Sequence, residues 1–120
     1  MAKILIADDE EVLRLLICDT LEDEGHLVVQ AVDGIDALDK IHEDTYDLVI
    51  LDFMMPGLSG VEVARKLDEE WKKETPILML TAKTQQADME ETKAAGIPFF
   101  MSKPFSPAEL ALLVEDILHA

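Results

Sequence analysis

Leu48-Val49-Ile50-Leu51-Asp52-Phe53-Met54-Met55-Pro56-Gly57 is the stretch that decides how this chain is read. Four apolar residues, Val49 and Ile50 of them β-branched, run without a polar break. A run of this kind reads as a strand buried on both faces, as in parallel sheets. It ends in a carboxylate. Pro56, Gly57 and Gly60 then force a turn, which puts Asp52 at the carboxyl end of a central strand. In open α/β sheets that edge is where ligands bind. A helix-capping Asp is the alternative that this stretch alone leaves open.

Outward from it, strands and helices alternate. Lys3–Ala7 reads as a strand that runs straight into Asp8-Asp9-Glu10-Glu11. Val12, Leu13, Leu15, Leu16, Ile17 and Leu21 recur at helical spacing until Gly25. Leu27–Ala31 is a second strand, Asp33-Gly34 a turn, and Ala37, Leu38 and Ile41 mark a second helix. The third strand covers Tyr46–Leu51. A third helix covers Gly60–Trp71, with Val61, Ala64, Leu67 and Trp71 on one face. The fourth strand, Ile77–Leu80, leads to Thr81-Ala82. A weakly apolar helix follows over 85–95, then a fifth strand over Ile97–Met101 and a loop, Ser102-Lys103-Pro104-Phe105. Ser106 opens the last helix, with Glu109 placed to complete a capping box and Leu110, Leu113, Val114 and Ile117 as its core face. Five strands alternating with five helices imply one parallel sheet covered on both faces: a doubly wound (βα)5 domain over residues 1–120.

Composition narrows the function. The formal net charge is −16, which argues against direct binding to nucleic acid or to an anionic membrane. No apolar run reaches membrane-spanning length, and Met1-Ala2-Lys3-Ile4-Leu5-Ile6 lacks the layout of a signal peptide. The single cysteine, Cys18, lies among helical leucines and reads as a buried, inert thiol, which fits a reducing cytoplasm. His26, His42 and His119 are scattered and read as surface residues.

In a parallel sheet the strand ends converge, so Asp8, Asp9, Asp52, Thr81 and Lys103 would share one edge. Acids make up 26 of 120 residues, so acids at two strand ends carry little weight alone. Thr81 and Lys103 beside them carry much more. Clustered carboxylates repel one another unless a cation sits among them. Oxygen-only ligands favour Mg²⁺ or a similar hard ion such as Mn²⁺, which keeps waters and shares a phosphate. With the Lys103 ammonium and the Thr81 hydroxyl, the set forms a clamp for a phosphoryl group. An aspartate inside such a clamp can act as nucleophile and form an acyl phosphate.

These residues resemble the receiver domain of bacterial two-component response regulators, the chemotaxis-regulator-like, flavodoxin-like fold. The likeness covers the whole chain and rests on four pieces in order: Ile-Leu-Ile-Ala-Asp-Asp-Glu at 4–10, Asp-Leu-Val-Ile-Leu-Asp-Phe-Met-Met-Pro-Gly at 47–57, Leu-Thr-Ala at 80–82 and Lys-Pro-Phe at 103–105. It implies a strand order of 2-1-3-4-5 and Asp52 as phosphoacceptor. It implies Mg²⁺ held by Asp8, Asp9, Asp52 and the Met54 backbone carbonyl. Thr81 and Lys103 would contact the phosphoryl oxygens, and the Lys103–Pro104 bond would be cis. Thr81 and Phe100 would move together as a switch, coupling Asp52 to the face made by the fourth helix, fifth strand and fifth helix. Met54 and Lys83 would flank the path of the hydrolytic water and tune dephosphorylation. The implied partners are a sensor histidine kinase or histidine phosphotransfer protein upstream, and a protein target or an output domain downstream. Pro98 and Phe99 depart from the family pattern. Phe99 either packs under the neighbouring helix or forms an apolar docking patch.

Two other functions compete. An aspartyl phosphatase or phosphotransferase acting on small metabolites would place its two acids two apart on the first strand, whereas Asp8 and Asp9 are adjacent, and no cap domain is evident. A phosphate-independent interaction module would not need the intact acids, Thr81 and Lys103.

Overall fold

A computed structural model of the chain describes residues 1–82 and 86–120. Its elements run β1 (Lys3–Ala7), α1 (Glu11–Asp23), β2 (Leu27–Ala31), α2 (Gly34–Glu43), β3 (Leu48–Asp52), α3 (Gly60–Arg65), α4 (Glu69–Glu74), β4 (Ile77–Thr81), α5 (Gln86–Ala94), β5 (Phe99–Ser102) and α6 (Pro107–Leu118). The strands form one sheet in the order β2-β1-β3-β4-β5, and every pairing is parallel. This is the doubly wound arrangement expected from the alternation of elements, in the flavodoxin-like strand order that the family resemblance implies.

Successive side chains of a strand point to opposite faces, and the core divides accordingly. Ile4, Ile6, Leu48, Ile50, Leu78 and Leu80 meet Ile17 and Leu21 of α1 and Leu110, Val114 and Ile117 of α6. Leu5, Ala7, Val49, Leu51 and Met79 face the other way, onto Ala37 and Ile41 of α2 and Val61 and Ala64 of α3. All five residues of β3, and all five of β4, are buried. Cys18 is buried too, and burial pushes its thiol pKa up, as an inert thiol requires.

Four expectations need correction. The helix foreseen over 60–71 is two helices, because the Asp68 side chain accepts the Trp71 N–H at 2.9 Å and starts a new one. A side-chain cap of this kind offers the backbone an alternative to continuing the helix. The described residues therefore form six helices rather than five. The fifth strand begins at Phe99, not Ile97, since the Ile97 N–H is spent on Thr92 O at the end of α5, and Pro98 has no N–H to offer a ladder. His26 is not a surface residue: its side chain is 7 % exposed, with Glu115 Oε1 3.0 Å from its Nε2. At Ser106 only the forward half of the capping box is recorded, Glu109 N–H to Ser106 Oγ. The reciprocal box is at Ser59 and Glu62, where α3 begins. Phe99 is partly buried and packs on the layer beneath α1 and α6, the first of its two readings.

Candidate functional site

Register brings the strand ends together. Ala7 lies opposite Leu51, so the next residues on the two strands, Asp8 and Asp52, are neighbours at the carboxyl edge. Asp52 in turn lies opposite Leu80, one residue before Thr81. Beyond the β4–β5 ladder, Lys103 N–H donates to Thr81 O at 2.8 Å, which sets the lysine beside the threonine. The Lys103–Pro104 peptide bond is cis. Gly60 lets the β3–α3 connection fold back onto the strand. A Cβ there would stand 2.6 Å from Asp52 O and from Met79 Sδ. Gly57 turns the same loop at a φ of 81°, a value that glycine adopts without penalty.

One carboxylate oxygen from each of Asp8, Asp9 and Asp52 lies within 4.8 Å of the others. Lys103 Nζ stands 3.0 Å from Asp52 Oδ1 and 3.5 Å from Asp8 Oδ2. Among the described residues, one ammonium thus pairs with two of the three acids. Burial, then the charge of Asp8, push the Asp52 pKa up to about 6, and the hydrogen bond from Lys103 only partly opposes them. For Lys103, burial works against the charged form, but the hydrogen bond and charge of Asp52 outweigh it and hold its pKa above the ordinary lysine value. Both shifts describe an edge where, among the described residues, negative charge exceeds what Lys103 neutralises.

Two side-chain atoms stand out among the described residues as buried and unpaired: Asp8 Oδ2 and Thr81 Oγ1. Both residues are 0 % exposed. An unpaired buried polar atom costs about 1–3 kcal/mol, so the presence of both on one edge calls for a ligand to complete them. The acids are hard oxygen donors of the type Mg²⁺ takes, and Asp8 Oδ2, with Lys103 Nζ 3.5 Å away, accepts no hydrogen bond. The residues therefore fit such an ion. A cavity of about 280 Å³ opens over them, lined by Asp9, Glu10, Asp52, Phe53, Met54, Ala82 and Lys103.

The remaining predicted positions vary in placement. Met54 is at the rim, its side chain among the most exposed apolar groups. Phe100 is half-buried on the α2–α3 side of the sheet, with Lys93 Nζ 5.8 Å from its ring centre. Lys83 lies outside the described residues. Arg14 had gone unremarked in the sequence, yet its Nη1 donates to Asp8 O at 2.8 Å and its Nε to Gln30 Oε1 at 3.0 Å. A lone arginine inside the apolar run Val12-Leu13-Arg14-Leu15-Leu16 was the available signal.

Fold, sheet order and acid edge together define a receiver. The chain matches the response regulator receiver domain family over residues 4–115 and belongs to it. Among curated relatives, it is 45 % identical over 117 residues to the transcriptional regulatory protein ResD of Bacillus subtilis, covering 98 % of this chain and 48 % of that protein. It is 43 % identical, with the same coverage, to the alkaline phosphatase synthesis transcriptional regulatory protein PhoP of the same organism. The chain spans about half the length of these relatives. Among solved structures, the chemotaxis response regulator CheY4 of Vibrio cholerae superposes with a TM-score of 0.91 at 36 % identity, covering 98 % of each chain. The receiver domain of the Francisella response regulator 1452 gives 0.90 at 30 % identity, covering 99 % of this chain and 98 % of that one. The protein is a receiver domain of two-component signal transduction. Among the described residues, no helix is long and apolar enough to cross a membrane.

Proposed function

We propose that Asp52 is the phosphoacceptor and that its phosphorylation switches partner binding. The observation that carries this is the convergence of three carboxylates, one ammonium 3.0 Å from Asp52, and an unpaired buried threonine hydroxyl on one sheet edge. The donor is the phosphohistidine of a histidine kinase or a phosphotransfer protein. An Asp52 carboxylate oxygen attacks phosphorus; the O–P bond forms, the N–P bond breaks, and the imidazole leaves with a proton from solvent. Lys103 and the Thr81 hydroxyl hold the phosphoryl oxygens as negative charge gathers on them. Asp8, Asp9, Asp52 and the Met54 carbonyl would hold Mg²⁺, or Mn²⁺ in its place. When bound, that ion would neutralise the acid cluster and the charge gathering on the phosphoryl group.

Turning the Thr81 hydroxyl to the phosphoryl group leaves room beside it, which the Phe100 ring fills. The ring carries no hydroxyl to desolvate on its way in. The motion reaches the face of α5, β5 and α6, where a protein target or an output domain reads it. An output domain accords with relatives twice this length that are named transcriptional regulators; with a net charge of −16 the receiver itself does not contact nucleic acid. The domain also removes its own phosphoryl group. Met54, at the rim of the site, cannot serve as general base, and neither can a lysine such as Lys83 while charged, so the phosphorylated state is long-lived. The site of action is the cytoplasm.

Acetyl phosphate with Mg²⁺ should add one phosphoryl group, located on Asp52 by mass spectrometry of the intact protein and its peptides. Asp52→Asn should accept none. Equal labelling of the two proteins would overturn the assignment, and turnover of small phosphate esters would favour the metabolite phosphatase instead.

A further inference from the structure

The β1–β2 ladder ends at the pairing of Ala7 with Ala31. One residue on, Asp8 N–H still reaches Ala31 O at 3.3 Å. Asp8 Oδ1 accepts the Glu10 N–H at 2.9 Å, which turns the chain into α1. The Asp8 carbonyl has passed the end of the ladder and has no strand partner there. Arg14 supplies one: from the second turn of α1 its Nη1 donates to that oxygen at 2.8 Å. Its Nε is occupied by Gln30 Oε1 of β2 at 3.0 Å, and Gln30 Nε2 rests 3.6 Å from the buried Cys18 Sγ. The guanidinium thus ties its own helix to the edge strand and to the peptide that joins Asp8 to Asp9.

We propose that Arg14, held by Gln30, is a positioning residue for the cation site, fixing the Asp8–Asp9 peptide so that both carboxylates face Asp52. The inference deepens the metal reading above and rests on it. Orientation of that peptide sets the direction in which the Asp9 side chain leaves the backbone, and Asp9 is the exposed member of the triad. The Glu10 N–H bond to Asp8 Oδ1 closes the turn around Asp9, and the Arg14 bond fixes the Asp8 carbonyl on the other side of it. Guanidinium suits the task, since its rigid fork makes two bonds at once where an ammonium makes none of that shape.

Charge and positioning predict opposite signs. A positive group near a cation site weakens cation binding, so if Arg14 acted only through its charge, Arg14→Met would tighten binding and Arg14→Lys would leave it unchanged. Positioning predicts that both variants weaken it, by about tenfold, the low end for groups that orient metal ligands. Gln30→Met, which leaves the arginine in place but frees it, should weaken binding by about threefold, a fraction of that loss. The probe is Mn²⁺ alone, followed by the paramagnetic resonance of the free ion at constant ionic strength. A second readout needs no metal. The Asp9 amide belongs to the peptide whose carbonyl Arg14 holds, so its nitrogen resonance in metal-free protein should move in all three variants while that of Phe53, bonded to Leu80 O, stays. Unchanged or tighter Mn²⁺ binding by either Arg14 variant, or unchanged binding by Gln30→Met, overturns the proposal. If the parent binds no Mn²⁺, the metal reading fails by itself, and the Asp9 resonance decides whether the brace exists. Should the Arg14 variants not fold, Gln30→Met decides on both readouts.

Discussion

At the amino-terminal edge of the sheet, polar side chains meet partners. Lys3 N–H donates to Asp47 Oδ2 at 2.7 Å, and the Lys3 ammonium pairs with Asp44. His26 accepts the Ala2 N–H at Nδ1, so in its neutral form it carries its proton on Nε2 and offers it to Glu115 Oε1. Thr75, also buried, donates its hydroxyl to Tyr46 O at 3.4 Å. At the carboxyl edge of the same strands, three acids cluster with Lys103 as the one ammonium among the described residues, and Asp8 Oδ2 and Thr81 Oγ1 have no hydrogen-bond partner. Thr75 and the His26 side chain are each 7 % exposed, close to the 0 % of Asp8 and Thr81, so burial alone does not explain why the first two have partners. A fold that satisfies one edge could satisfy the other; the unpaired edge gives up stability to keep donor and acceptor atoms available for a ligand.

The largest expected effect comes from filling that edge. Mg²⁺ at a hundredfold excess over its dissociation constant should stabilise the parent by about 2.7 kcal/mol, and no such gain should appear in Asp9→Asn. Without metal, Asp9→Asn should melt higher than the parent, because a like charge is gone. Thermal melts with chelator and with millimolar Mg²⁺ check both halves, and a parent indifferent to Mg²⁺ would erase the contrast between the edges.

Next is pH. The Asp52 pKa, about 6 in the metal-free fold, lies above the unfolded aspartate value of about 3.9. The folded state therefore binds this proton more tightly than the unfolded state does. Its stabilising effect is complete below about pH 4 and is lost as pH rises through about 6. Two pKa units correspond to about 3 kcal/mol at most, and solvent screening brings that to about 1–2 kcal/mol. Metal-free Asp52→Asn should exceed the parent in stability by that amount at pH 7 and converge with it toward pH 4. A stability difference independent of pH would contradict the buried-acid account.

At the satisfied edge, His26→Ala should cost about 1 kcal/mol through two lost hydrogen bonds while acetyl phosphate labels Asp52 as before. Loss of labelling would mean the two edges are not separable. The smallest effect is kinetic. An asparagine at 54 can orient a water where methionine cannot, so Met54→Asn should shorten the phosphorylated lifetime about threefold, ~0.7 kcal/mol of barrier. Phosphate loss after donor removal measures it, and equal decay rates would assign Met54 to packing alone.

Much of this was legible in the sequence because it depends on local pattern. The unbroken run Leu48–Leu51 marks a doubly buried strand, and Asp8, Asp52, Thr81 and Lys103 follow from strand ends in a parallel sheet. What could not be seen depends on side chains meeting across elements. His26 looked like a surface histidine because its partners, Ala2 and Glu115, are 24 and 89 residues away. The role of Arg14 is not legible because its acceptor is a backbone carbonyl past the end of the β1–β2 ladder. The break before Asp68 was legible but overridden: Asp68-Glu69-Glu70 is a helix-start signal, masked by the apolar spacing of Leu67 and Trp71.

The most direct measurement is a structure of the protein with Mg²⁺ and beryllofluoride, a stable mimic of the phosphoryl group. It should show beryllium on an Asp52 oxygen and the Thr81 hydroxyl donating to a fluorine. Asp8 should face the metal, so that both unpaired atoms are paired and the amino-terminal edge is unchanged. Beryllofluoride bound elsewhere, or Asp52 modified with Thr81 Oγ1 and Asp8 Oδ2 still without partners, would contradict the claim that this edge is left open for a phosphoryl group and its metal.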